Sequence, residues 1–194
     1  MKSQRWKVLI GSRAFGRAIP EHLTMLENGG CTVIPNTIGR SYHEEELIKV
    51  LVGVDAIITG TDELTARVIE HVSPSLKTIA KLGVGLNNID LDAAWAAGII
   101  VTITPGTLHD SVADHVMALT LALARKIIPT HLSSNSQIWT PFFGFELRNK
   151  VFGLIGLGKI GKAVCERARS FGMRLVAFDL YPDLIRIQKN DKFT

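Results

Sequence analysis

The stretch VFGLIGLGKIGKAVCERARSFGMRLVAFD (Val151–Asp179) decides how the chain is read. Val151–Ile155 is short, apolar and β-compatible. The turn Gly156-Leu157-Gly158-Lys159-Ile160-Gly161 follows. Beyond it Ile160, Ala163, Val164, Arg167, Ala168 and Phe171 recur at helical spacing, and Arg174–Phe178 makes a second strand ending on Asp179. Each part has a physical task. Gly156 permits the tight turn out of the strand, Gly158 lets a pyrophosphate approach bare backbone, and Gly161 lets the helix pack closely. The unpaired N–H groups at the helix start, foremost those of Lys159 and Ile160, face the anion along with the positive end of the helix dipole. Asp179 stands close to the ~20-residue spacing of a ribose-binding carboxylate. A carboxylate there accepts from ribose hydroxyls and repels a 2′-phosphate, so the expected cofactor is NAD rather than NADP.

Outward from this segment, the 194 residues are 46% hydrophobic and 21% charged, enough for one large domain or two small ones with their own cores. The formal charge of +4 and pI near 9.2 come from scattered Lys and Arg. A mild positive balance attracts anionic metabolites, whereas a nucleic-acid partner calls for a clustered basic face. Cys31 and Cys165 match no metal-site or disulfide spacing and read as two small buried thiols in a reducing compartment. The start MKSQRWKVLIG lacks the long apolar region of a signal peptide, and no run of ~18 apolar residues marks a membrane span. The cytoplasm is the expected location.

Strand-like and helix-like segments alternate along the first hundred residues. Strands are expected at 6–11, 31–35, 55–60, 76–83 and 98–104, with helices at 18–27, 43–52, 63–71 and 91–97. This order implies an α/β fold with a parallel sheet and helices on both faces. A domain change is expected near Thr104, dividing the chain into 1–103 and 104–194. Ser111–Ile127 carries apolar residues almost all round, so a buried helix is expected, lying between domains or in a subunit interface. A polar and aromatic loop over 133–150 follows. Its cluster of Trp139, Phe142, Phe143 and Phe145 reads as packing or a dimer arm, and a homodimer through 111–145 is expected.

Taken together, these residues resemble the D-isomer-specific 2-hydroxyacid dehydrogenases. The segment Leu147–Asp179 looks like that family's cofactor-domain signature. KLGVGLNNIDLDAAWAAGIIVTITPG (81–106) is similar to its substrate-loop segment, and SVADHVMALTLALAR (111–125) to its long interdomain helix. DAIITGTDELTARVI (55–69) fits the style of the bacterial D-3-phosphoglycerate dehydrogenases. The resemblance implies a flavodoxin-like substrate domain followed by the first part of a Rossmann NAD-binding domain, with the active site between them. It implies that backbone amides of Gly83, Val84, Gly85 and Leu86 hold the substrate carboxylate, and that Val84 also borders the nicotinamide. The implied reaction is reversible hydride transfer between NAD and a D-2-hydroxy acid, with 3-phosphoglycerate, and so serine biosynthesis, as the first substrate guess.

Several positions depart from the family pattern. Asn87 stands where members often have Asp, and Ile103 where many have Asn. Some relatives have a phosphate-gripping Arg at the position of Thr59; Arg40 is the nearest substitute in view. The family's catalytic Arg, Glu and His are expected beyond Thr194, so the chain alone is expected to show little or no turnover. His115, beside Asp114 on the expected buried helix, reads as a structural hydrogen-bonding residue, and His109 as a residue bordering the cleft. No metal-ligand cluster is visible. A binding protein that responds to NAD(H), like the corepressors sharing this fold, is the alternative from another functional class.

Overall fold

The computed structural model describes residues 5–17 and 19–181. They form two compact units, Met1–Pro105 and Gly106–Thr194.

The first unit runs β1 (Lys7–Ile10), α1 (Glu21–Asn28), β2 (Thr32–Ile34), α2 (Glu44–Val50), β3 (Ala56–Thr59), α3 (Ala66–Val72), β4 (Thr78–Lys81), α4 (Leu91–Ala96) and β5 (Ile100–Thr102). All five strands are parallel, in the order β2-β1-β3-β4-β5. This is the flavodoxin-like winding, whose switch point lies between β1 and β3. The period of two sorts the strand residues between faces. Leu9, Ile57 and Ile79 enter the larger core with Leu47 of α2, Leu51 just after it, and Val68, Ile69 and Val72 of α3. Val8, Ile10 and Ala56 face the other way, against Leu23 and Leu26 of α1.

The caps explain where the helices begin. Thr65 accepts from Val68 N–H and Asp90 from Ala93 N–H, while His43 and Glu46 form a reciprocal capping box at α2. The first helix starts at Glu21, after Pro20; its expected start at Ala18 lies outside the described residues.

The second unit holds α5 (His109–Ala124), α6 (Ile127–Asn135), β6 (Val151–Ile155), α7 (Lys159–Ser170) and β7 (Arg174–Phe178). The strands β6 and β7 are parallel and in register from Val151↔Arg174 to Ile155↔Phe178, with α7 as their crossover. Small residues let α5 and α7 come close: Ala113 packs with Ala163 and Val164, while Met117, Ala124, Leu147, Leu157, Cys165, Ala168 and Leu175 fill the adjoining core. The opposite face of the two strands is bare, with Val151, Ile155, Val176 and Phe178 exposed.

Three sequence expectations need correction here. The 111–127 segment is not buried all round: α5 buries only Ala113, Met117 and Ala124, while Leu119 and Leu123 are exposed. Apolar residues encircle this helix, but one chain covers only part of its circumference. The segment is also split, because Lys126 takes a left-handed conformation (φ 57°) and α6 starts after it. Pro129, tolerated in the first turn of a helix, was the available signal for that start. Finally, Cys165 is buried but Cys31, just ahead of an edge strand, is only half-buried.

Candidate functional site: a glycine loop and an amide-rich loop

In the second unit, Gly156 leaves β6 with φ 93°, a conformation costly for any residue with a Cβ. A Cβ on Gly161 would run into the carbonyl oxygen of Gly156, so only glycine lets α7 start this close to the strand end. Gly158 differs: nothing lies within 4 Å of the position its Cβ would take. Here the bare backbone faces open space rather than packed protein. The first N–H groups of α7, at Lys159 and Ile160, have no helical carbonyl four residues back. A groove of about 620 Å³ runs along Phe152–Gly156, Gly158–Gly161, Val116 and Val164. It is open, largely apolar and ends on the glycine turn.

Asp179 follows β7 and reaches back to this turn. Its Oδ2 accepts from Leu157 N–H at 2.6 Å and its Oδ1 from Tyr181 N–H at 2.9 Å. These two donors, Leu157 first, hold the carboxyl below the usual aspartate range. An ionised carboxylate has about four acceptor sites, so capacity remains for hydroxyl donors. Lys159 is exposed, and its ammonium lies 3.7 Å from where a Cβ on Gly106 would stand.

In the first unit, the loop after β4 is held at both ends. Leu82 N–H donates to Thr59 O at 2.9 Å, and Ile89 N–H to Leu86 O at 3.0 Å. Gly83, at φ 132°, donates to Thr104 Oγ1 and accepts from Thr104 N–H, both at 2.9 Å. Between these anchors, the N–H groups of Val84, Gly85 and Leu86 meet no acceptor among the described residues. Val84 and Gly85 are exposed, and a Cβ on Gly85 would meet nothing. Successive free amides beside glycines make a concave anion nest.

Beneath this loop lies a polar cluster that the sequence analysis missed. Asp62 is fully buried; it accepts from Tyr42 N–H at 2.8 Å, Thr59 Oγ1 at 2.8 Å and Gly60 N–H at 3.1 Å. Lys81, 7% exposed, donates to Gly60 O and to Asn88 Oδ1. The one visible signal was a lysine ending an otherwise uncharged strand, TIAK.

Residues 13–177 match the family model for the D-isomer specific 2-hydroxyacid dehydrogenase catalytic domain. The chain belongs to this family. It is 37% identical over 173 residues to a glyoxylate reductase of Thermococcus kodakarensis, covering 84% of this chain and 51% of that protein. It is 36% identical over 138 residues to a D-3-phosphoglycerate dehydrogenase of Mycobacterium leprae, covering 70% and 26%. The apo-structure of D-lactate dehydrogenase from Escherichia coli superposes with a TM-score of 0.75 at 27% identity, over 91% of this chain and 56% of that one. The chain thus spans about half, or less, of the length of these relatives.

Other candidate residues find different employment. Arg40 is held by both oxygens of Glu46, at 2.6 and 2.8 Å, and with the His43 N–H it pulls that carboxyl down to about 2. Thr59 is fully buried, its hydroxyl spent on Asp62. His115 and Asp114 are exposed rather than buried; Asp114 pairs with Arg167 of α7 at 2.5 Å, which also takes Asp110 at 3.1 Å. His109 Nε2 lies 3.3 Å from Asp110, and its buried Nδ1 meets no hydrogen-bond partner among the described residues. Asn87 is exposed, and Asn88 beside it makes the loop's bonds.

Proposed function

We propose that this chain binds NAD and a D-2-hydroxy acid, or the matching 2-oxo acid, for reversible hydride transfer. The observation carrying this reading is the opening at Gly158, where free helix-start amides and the Asp179 carboxylate converge on one glycine turn. The turn fits a dinucleotide: the amides of Lys159 and Ile160 would hold the pyrophosphate, Gly156 and Gly161 shape the approach, and Asp179 would take the adenosine ribose. With NAD bound, its nicotinamide supplies the acceptor for the C2 hydride. The amides of Val84, Gly85 and Leu86, with Gly83 anchoring their loop, would orient the acid by its carboxylate.

For the acid itself, we favour a small one without phosphate, of the glyoxylate kind. Thr59 is buried and Arg40 is committed to Glu46, so neither is free to grip a phosphate. This weighs against 3-phosphoglycerate and a role in serine biosynthesis. We place the protein in the cytoplasm because Cys31 and Cys165 match no disulfide framework, which suits a reducing compartment; among the described residues no helix is long and apolar enough to cross a membrane.

Calorimetric titration of the 194-residue chain should show saturable NAD binding, weaker NADP binding, and about a 10–100-fold loss of NAD affinity in Asp179→Ala, the scale of a charge-assisted hydrogen bond. Since Asp179 is held below its usual range, NAD affinity should stay flat as pH falls through the ordinary aspartate range and drop only beneath it. Turnover of the 194-residue chain with a panel of D-2-hydroxy acids should stay at background, because none of its six histidines falls on a motif of the family's proton acceptor. Absence of NAD binding would overturn the assignment, and robust turnover would overturn the expectation of inactivity.

We also propose a homodimer through 111–145. Leu119, Leu123, Trp139 and Phe143 are all more than half exposed, and Trp139 reaches 96%. Such an apolar run is the mark of a protein interface. Sedimentation should show a dimer at micromolar concentration and a monomer for Leu123→Glu; a monomeric wild type would refute the assignment.

A further inference from the structure

We propose that Lys81 is a positioning residue: its buried ammonium ties the two feet of the 82–88 loop together and so holds the amides of Val84, Gly85 and Leu86 in their anion-binding arrangement. The inference rests on the reading of that loop as the carboxylate site.

The geometry is specific. Lys81 is the last residue of β4 and stands immediately before the loop; Asn88 closes it. The ammonium donates to Asn88 Oδ1 at 2.7 Å, joining the two ends of the loop directly. It also donates to Gly60 O, which fixes both ends to the turn after β3. Asn88 repeats the connection from its other side, its Nδ2 donating to Asp62 O at 2.7 Å, while its own carbonyl accepts from Leu64 N–H at 2.9 Å. With the feet fixed and Gly83 held by Thr104, the middle of the loop keeps its amides outward and unpaired.

A buried lysine is costly unless its charge is matched. Asp62 supplies the match as the charged group acting on Lys81, and it is itself held by Tyr42, Thr59 and Gly60. The loop contributes neutral Asn88, and the β5 side contributes neutral Thr104 through Gly83. The lysine stem passes close to the loop, its Cε lying 3.8 Å from where a Cβ on Gly83 would stand. The ammonium therefore stands at the foot of the loop whose amides would receive the carboxylate. Burial pushes the Lys81 ammonium below the usual lysine range, opposed by the Asp62 charge. The loop should thus lose its support on the alkaline side earlier than an exposed lysine would allow.

The test titrates the 194-residue chain with oxalate, an unreactive mimic of a 2-oxo acid, following the amide resonances of Val84, Gly85 and Leu86. Wild type should show saturable shifts whose affinity weakens as pH rises toward the lysine range. Lys81→Met should lose tenfold or more in affinity and should lack this alkaline limb, with the β3 and β4 amide resonances kept. Lys81→Gln, which retains a donor but no charge, covers the case that methionine disturbs folding and should show the same loss. Lys81→Arg, keeping charge and donors, should recover binding to within a few-fold. Unchanged affinity and pH profile in either folded neutral variant overturns the inference alone. Failure of wild type to shift these amides overturns the carboxylate-loop reading, and the inference with it.

Discussion

Gly161→Ala should abolish measurable NAD binding and lower stability by about 1–3 kcal/mol, the usual cost of overpacking. The added Cβ would collide with the Gly156 carbonyl oxygen and stand 3.2 Å from its carbon, both of them backbone atoms that no rotamer change can move aside. Relief would require α7 to withdraw from the end of β6, carrying the amides of Lys159 and Ile160 away from the open side of the turn. Gly158→Ala provides the contrast. Gly158 has φ −71°, which alanine adopts without strain, and its Cβ would point into empty space. That variant should unfold within about 0.5 kcal/mol of wild type, as surface changes do, yet bind NAD more weakly because the methyl occupies the pyrophosphate's approach. Urea unfolding and calorimetry on the two variants separate packing from binding. Wild-type NAD affinity in Gly161→Ala would show that the turn does not set the helix start as described.

The second large effect is expected at Asp62, far from the glycine turn in sequence. Asp62→Ala should cost about 3–5 kcal/mol, the range for breaking a buried charge arrangement by removing one partner. Three donors, Tyr42 N–H, Thr59 Oγ1 and Gly60 N–H, would lose their acceptor inside protein, and Lys81 would lose its neutralising charge. Set against a total stability of about 5–15 kcal/mol, this is enough to unfold a marginal domain. Asp62→Asn keeps the shape and part of the accepting capacity, so its cost should be smaller, about 1–3 kcal/mol. Equilibrium denaturation reads both values, and an Asp62→Ala variant as stable as wild type would show that the cluster is not the anchor described. The same carboxylate explains Gly11: a Cβ there would lie 2.5 Å from Asp62 Oδ2.

Much of this arrangement was legible in the sequence. The strand–helix alternation through residue 104 and the βαβ unit around Gly156 rest on local periodicity and glycine chemistry, and both describe the observed elements to within a few residues. The exposure of α5 was not legible. Leu119 and Leu123 have the composition of core residues, and composition does not say which surface will cover them. The break at Lys126 was likewise hidden, since a lysine in a left-handed conformation carries no residue-type signal.

By itself, then, the sequence determined the order of elements, the parallel winding they imply and the glycine turn with its following acid, because each depends on residues adjacent or regularly spaced along the chain. Only the tertiary structure decided that Asp62, Lys81 and Asn88 gather beneath one loop while Thr104 holds its Gly83, that Asp179 turns back onto Leu157, and that Arg40 is committed to Glu46. These contacts join residues from separate strands and turns. Parallel strands bring their carboxyl ends to the same edge of the sheet, and which side chains meet there depends on register and burial rather than on distance along the chain.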